Sequence, residues 1–217
     1  MSSHGLVSGN IRHSLAERGA DLYETPHVAV KALLAYESIP FTVWEPCCGP
    51  GSIVKTLRDT GRGVIAHDLF DYGCPHSHSG VDFLQTETAP PGVPCIVTNP
   101  PYKHATQFIE KAVALSPMVC MLLRLEYLAA HHGGLLDRHP PSRIYAFNRR
   151  LPMMHRHGWE GPRATSRFNF AWYVWDQTPG ETTLYRIGWK DEDSPMEQAS
   201  SASEGQEEAP VGQAVSG

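Results

Sequence analysis

Residues 41–51 read Phe41-Thr42-Val43-Trp44-Glu45-Pro46-Cys47-Cys48-Gly49-Pro50-Gly51, and Ser52-Ile53-Val54-Lys55-Thr56-Leu57-Arg58-Asp59 follows directly. The first four are β-branched or aromatic, the residues that suit a strand. The next seven hold two glycines and two prolines, which end a strand and let the backbone turn sharply. Ile53, Val54 and Leu57 then recur at helical spacing, and Gly61 sits where a helix would stop. A strand, a tight Gly-x-Gly turn and a helix open a Rossmann-like unit, in which glycine lets backbone approach a ligand closely. The same residues also suit a plain strand–helix turn.

The surroundings narrow the choice. Gly63-Val64-Ile65-Ala66-His67 reads as the second strand and closes on Asp68, 23 residues after Glu45. A carboxylate there is at the usual position for binding ribose hydroxyls. The third glycine of the dinucleotide fingerprint is missing, and Glu45 stands where a pyrophosphate would be repelled. A cationic, zwitterionic ligand tolerates that acid better, and S-adenosylmethionine is such a ligand. Residues 72–80 read as a loop, in which Cys74, His76 and His78 alternate without the fourth ligand and pairing that a zinc site needs. Residues 81–84 read as a short third strand or its end. There Asp82 can accept from the amine of an adenine with Phe83 against the ring, or Asp82 can cap a turn with Phe83 in the core.

Cys95-Ile96-Val97-Thr98 is a buried strand by pattern, and Asn99-Pro100-Pro101-Tyr102 follows it. Neither proline has an N–H for a sheet ladder, so the strand stops at Asn99. Ligands of open parallel α/β sheets bind at that carboxyl end. An exocyclic adenine amine is a poor nucleophile, because its lone pair is delocalised into the ring. Two acceptors on its two hydrogens favour a tetrahedral nitrogen and aim the lone pair outward. Asn99 can offer its side-chain oxygen and Pro100 its backbone carbonyl, held by the restricted φ of the prolines. Tyr102 offers a flat face for stacking, worth about 1–3 kcal/mol per base. A half-buried Tyr beside a strand-ending Pro-Pro is the plainer alternative.

The order strand, Gly loop, helix, strand-Asp, Asp-Phe and strand-Asn-Pro-Pro-Tyr resembles the S-adenosylmethionine-dependent methyltransferases, and among them the DNA adenine-N6 methyltransferases of small phage and prophage type. Tyr23-x-Thr25-Pro26 looks like their N-terminal motif, which touches the methionine part of the cofactor. Glu45-Pro46-Cys47-x-Gly49-x-Gly51 looks like their cofactor loop, and Asn99 to Tyr102 like their catalytic motif. The resemblance covers roughly residues 21–190. It implies a seven-stranded, mostly parallel sheet with helices on both faces, the last strands antiparallel, and S-adenosylmethionine as cofactor. It implies catalytic roles for Asn99, Pro100, Pro101 and Tyr102, and cofactor contacts from Tyr23, Thr25, Pro26, Glu45, Pro46, Cys47, Gly49, Gly51, Asp68, Asp82 and Phe83. Release-factor glutamine methyltransferases share Asn-Pro-Pro-Tyr but carry an N-terminal helical domain, and here only about 20 residues precede the first motif. RNA adenine as acceptor, or a non-catalytic cofactor or nucleic-acid binding module, are the other readings.

Elsewhere the pattern predicts a helix from Pro26 to about 36, with Thr25 as its N-cap. It also predicts a helix at 104–115 and strands at 118–123, 143–148, 168–175 and 184–189. Arg124 and Glu126 stand at the exit of the first of these strands, near the expected cleft, where they suit either the positioning of substrate or, with some preference, a mutual surface pair. Residues 138–168 hold seven arginines, at 138, 143, 149, 150, 156, 163 and 167, against the single acid Glu160. A basic, aromatic-bearing stretch beside an adenine site suits phosphate contacts, without separating DNA from RNA. Arginines that serve the fold are the alternative.

The 217 residues fit one domain with a full core. A hydrophobic share of 41% and a charged share of 19% are ordinary for a globular chain. No apolar run approaches a membrane span, and residues 1–20 read as a loose lead-in without an apolar signal core. Five cysteines without a C-x-x-C suit a reducing cytoplasm. The net charge of −5 is set by residues 191–217, which hold seven acids and no Lys or Arg. Without them the chain has 18 bases against 16 acids. That stretch is expected to be a disordered acidic tail.

Overall fold

The computed structural model describes residues 24–152, 168–177 and 180–189. One eight-stranded sheet runs through them. Its strands are β1 (Thr42–Glu45), β2 (Gly63–Asp68), β3 (Ser77–Ser79), β4 (Cys95–Thr98), β5 (Met118–Arg124), β6 (Arg143–Phe147), β7 (Phe170–Trp175) and β8 (Thr183–Ile187). The order across the sheet is β3-β2-β1-β4-β5-β7-β6-β8. The helices are α1 (His27–Tyr36), α2 (Ser52–Asp59), α3 (Ala105–Leu115) and the single turn α4 (Leu135–Arg138).

Alternation along the strands divides the core between two faces. Cys95, Val97, Cys120, Leu122, Phe170, Trp172 and Val174 pack with Ala29, Val30 and Leu33 of α1 and with Ile53 and Leu57 of α2. Their neighbours Ile96, Val119, Met121, Ala171 and Tyr173 point the other way, against Phe108, Ile109 and Ala112 of α3. Strands buried on both faces read as unbroken apolar runs, as β4, β5 and β7 do.

The sheet has eight strands rather than the expected seven, with β8, near the expected strand at 184–189, at the edge beyond β6. Only β7 runs antiparallel, to both β5 and β6, and β8 is parallel to β6. That departs from the expectation of several antiparallel strands at the end of the chain. The third strand is also elsewhere. Ser77–Ser79 pairs with β2, with His78 opposite His67, inside the expected loop. Its outward residues are exposed, so an edge strand this short leaves no apolar signature. The expected strand at 81–84 is instead a 3₁₀ turn over Phe83–Gln85, because the Asp82 carboxylate accepts from the Leu84 N–H at 2.9 Å and caps it. Thr25 does not cap α1. Pro26 stands at the N-cap position without a side-chain bond, and the Thr25 hydroxyl is engaged elsewhere.

The first 23 residues and the tail from 190 onward lie outside the described residues, with the lead-in, Tyr23 and the acidic stretch. Residues 153–167 of the basic stretch lie outside them as well. Among the described residues no helix is long and apolar enough to cross a membrane.

Candidate active site

Every parallel strand delivers its following loop to one edge of the sheet. The loops after β1, β2, β3 and β4 meet there around a cavity of about 520 Å³. Pro46, Cys47 and Gly49 come from the first loop, Asp68 from the end of β2 with Leu69 and Phe70 from the loop after it, Asp82 and Phe83 from the third loop, and Asn99 and Pro101 from the fourth. Thr25 closes the wall from the segment before α1.

The loop after β1 is shaped by its glycines. Gly49 and Gly51 both have positive φ, +52° and +97°. A Cβ on Gly51 would lie 2.6 Å from the Cys74 sulfur, so no other residue fits without movement. The chain thereby turns tightly enough to aim the Gly49 N–H at Asp68, whose Oδ2 accepts it at 2.8 Å. The other Asp68 oxygen accepts the Phe70 N–H at 3.0 Å. Burial pushes the Asp68 carboxyl up, and these backbone donors oppose it. With one donor on each oxygen, the carboxylate keeps acceptor capacity toward the cavity.

Beneath the cavity, Glu45 is wholly buried. Its Oε1 accepts from the Thr98 hydroxyl at 2.6 Å and from the Cys47 N–H at 3.2 Å, while Oε2 meets no partner among the described residues. Burial pushes its carboxyl up to about 8. The Cys47 thiol lies 2.9 Å from the Thr98 hydroxyl and donates to the Asn99 carbonyl at 3.6 Å. Burial, then the nearby Glu45 and Asp68, push that thiol well up, so it stays an S–H donor. Glu45, Thr98 and Cys47 thus join the glycine loop to the loop after β4.

Asn99 is oriented from a third direction. Its Nδ2 donates to the Thr25 hydroxyl at 3.0 Å. Thr25 is itself held, because its carbonyl accepts from the Ser52 hydroxyl at the start of α2. Residues 74 positions apart therefore set the rotamer of one side chain.

Of the residues named from the sequence, Thr25, Pro46, Cys47, Gly49, Asp68, Asp82, Phe83, Asn99 and Pro101 reach the cavity wall. Pro26, Glu45, Gly51 and Pro100 are not among the lining residues. Phe83 is both core and wall: it is buried against Trp44 and Phe108, with ring centroids 5.3 and 4.9 Å away. Asp82 likewise caps its turn and faces the cavity. Tyr102 is not among the lining residues either. Its ring lies 6.1 Å from Phe170 and under the Arg124 guanidinium. Glu24, Phe70, Tyr72, His104 and Phe108 are among the further wall residues that were not singled out. Phe70 and Tyr72 follow the end of β2 directly, and two aromatics just past a strand-ending Asp were the available signal.

Among the described residues no group of three His, Cys, Asp or Glu side chains could hold a metal. Cys74 packs instead with Cys48, Val54 and Ala66.

No family model matches the chain, and no curated protein does. Solved structures do match in fold. One is described as a class I S-adenosylmethionine-dependent methyltransferase from Listeria monocytogenes, with a TM-score of 0.50 and 12% identity over 80% of this chain and 67% of that one. A second is described as an RNA methyltransferase from Pyrococcus horikoshii, with a TM-score of 0.50 and 16% identity over 73% and 88%. A third is described as a modification subunit of a type I restriction enzyme from Vibrio vulnificus, with a TM-score of 0.50 and 12% identity. It matches 82% of this chain, which spans half of that protein's length. The likeness is one of fold: the chain has the Rossmann-like α/β architecture of class I methyltransferases.

Proposed function

We propose that the chain transfers a methyl group from S-adenosylmethionine to the N6 amine of adenine in DNA. The observation that carries this reading is the Asn99 carboxamide, turned by its 3.0 Å bond to Thr25, on the wall of the cavity that Gly49 and Asp68 also line. The residues present fit the cofactor. Asp68 is a buried carboxylate with acceptor capacity left for ribose hydroxyls, and Asp82 and Phe83 offer an acceptor and an apolar edge for an adenine. The Gly49–Gly51 turn, with both glycines at positive φ, brings the Gly49 backbone to the cavity wall.

The cofactor supplies a methyl group on a sulfonium, which departs as a neutral thioether. The protein orients the acceptor. With its NH₂ on Thr25, Asn99 presents Oδ1 toward one amine hydrogen, and the Pro100 carbonyl takes the other. The Cys47 thiol on the Asn99 carbonyl steadies that peptide. Both acceptors meet positive charge as it develops on nitrogen, so their contribution is largest in the transition state. Asn99 cannot take the proton, which leaves to solvent once the nitrogen is methylated. A target in a duplex must be flipped out before Tyr102 can stack on it.

Asn99→Ala tests the assignment. Tritium transfer to mixed-sequence DNA is expected to fall at least a hundredfold, while cofactor affinity by calorimetry stays within about threefold. Equal loss of both would overturn it. Transfer to RNA but not DNA would move the acceptor and keep the reaction, and cofactor binding without transfer to either would favour a binding module.

A further inference from the structure

Arg124 is the last residue of β5, and its guanidinium is stacked on two aromatic rings. Its Cζ lies 3.8 Å from the centre of the Phe168 ring and 4.6 Å from that of Tyr102. No carboxylate among the described residues pairs with it, Glu126 included. Its Nε is buried and meets no hydrogen-bond partner among the described residues. A guanidinium placed over two rings gains cation–π attraction from them, and it bears the cost of an N–H removed from water.

The place matters as much as the contact. β5 ends, and the antiparallel β7 begins, at the same carboxyl edge that carries the cavity. The Leu125 N–H donates to the Asn169 carbonyl at 2.9 Å and ties the two strand ends together. Tyr102, just past Asn99 in the chain, therefore forms a cluster with Arg124, Phe168 and Phe170 at that edge, outside the cavity lining.

We propose that Arg124 is a positioning residue that occupies the acceptor-base slot. Its planar guanidinium covers the Tyr102 and Phe168 rings until a base displaces it, and the freed fork then turns to a phosphate of the strand. This rests on the base-stacking role assigned above to Tyr102. A guanidinium is the one cationic side chain that suits both states, because it stacks flat on a ring and matches a phosphate through its fork. The slot is thereby kept from collapsing, and a base enters by exchange.

The test separates stacking from charge by using adenosine, which has no phosphate. The full chain is saturated with S-adenosylhomocysteine, so that adenosine cannot use the cofactor cavity, and adenosine binding is measured by ligand-observed NMR. Arg124→Ala is expected to tighten adenosine binding by about three- to tenfold, the reach of one displaced cation–π contact. Arg124→Lys should fall between it and the wild type. Cofactor affinity should not move, since Arg124 does not line that cavity. An oligonucleotide with only abasic sites should bind Arg124→Ala more weakly than wild type, because a phosphate contact is lost. If the alanine chain does not fold, Arg124→Gln carries the same expectations. Adenosine affinity unchanged or weakened in these variants overturns the proposal, as does tighter binding of the abasic strand. If that happens while Tyr102→Ala still abolishes DNA methylation, the stacking role of Tyr102 survives without the occupant. No methyl transfer from the wild-type chain to any nucleic acid overturns both.

Discussion

Glu45 illustrates how far one side chain can depart from what its type suggests. As a letter after a strand it reads as an acid facing a cationic ligand. In the fold it is a buried carboxyl whose pKa stands near 8, serving Thr98 and the Cys47 N–H. Its folded pKa lies above its unfolded one, so the folded chain holds more protons between about pH 4.5 and 8. Stability from this group is therefore full below about pH 4.5 and is lost as pH rises toward 8. Glu45→Gln keeps the acceptor oxygen and cannot ionise. Urea melts of the wild type should lose on the order of 3 kcal/mol between pH 5 and 8 relative to the Gln variant. Parallel pH profiles for the two would contradict a buried, protonated Glu45.

The glycine loop and α2 act as one element. Gly51 at φ +97° is the N-cap of α2, and the Lys55 N–H returns to its carbonyl at 2.8 Å. Two costs meet at this position, a left-handed backbone and the 2.6 Å approach to Cys74. Gly51→Ala is expected to destabilise the fold by about 1–3 kcal/mol and to weaken cofactor binding at least tenfold. Cys74→Ala in the same chain should restore only part of the stability, because it removes the steric cost and leaves the backbone one. Full rescue in thermal melts would mean that φ is not the constraint. The misread elements nearby have a common cause. Residues 81–84 have strand chemistry, yet Phe83 is drawn into the core between Trp44 and Phe108 and Asp82 caps the turn. Ser77–Ser79 has no strand chemistry and pairs because β2 offers it a free edge.

Across the sheet, topology sorts the arginines. Arg143 begins β6 and meets Glu37 after α1 and Asp176 after β7, all at the edge opposite the cavity. Tyr145 also donates to Glu37, at 2.7 Å. Arg138 pairs with Glu110 at 2.9 Å. Arg149 and Arg150 follow the end of β6 and are exposed at the cavity edge. Arg143→Ala leaves the nearly buried Glu37 without its main partner and should cost about 2–4 kcal/mol in chemical denaturation. Arg149→Gln with Arg150→Gln, at two exposed side chains, should cost less stability than Arg143→Ala. That pair should lower the slope of log K for DNA against log salt by about two. The opposite pattern, stability lost at 149 and 150 and binding lost at 143, would invert the assignment.

Local chemistry was enough to announce β1, the glycine turn, α2, the Asp at the end of β2 and the proline stop after β4, because strand residues, helical spacing, positive-φ glycines and missing N–H groups act within a few positions. The Rossmann-like class follows from their order. Which side chains share a cavity does not, since the Thr25–Asn99 bond, the Glu45–Thr98–Cys47 relay and the stacking of Arg124 on Tyr102 and Phe168 join residues dozens of positions apart. Nor does the spread of seven arginines along one stretch reveal which edge of the sheet each one reaches. Strand order and direction decide that, and they are set only when the whole sheet assembles.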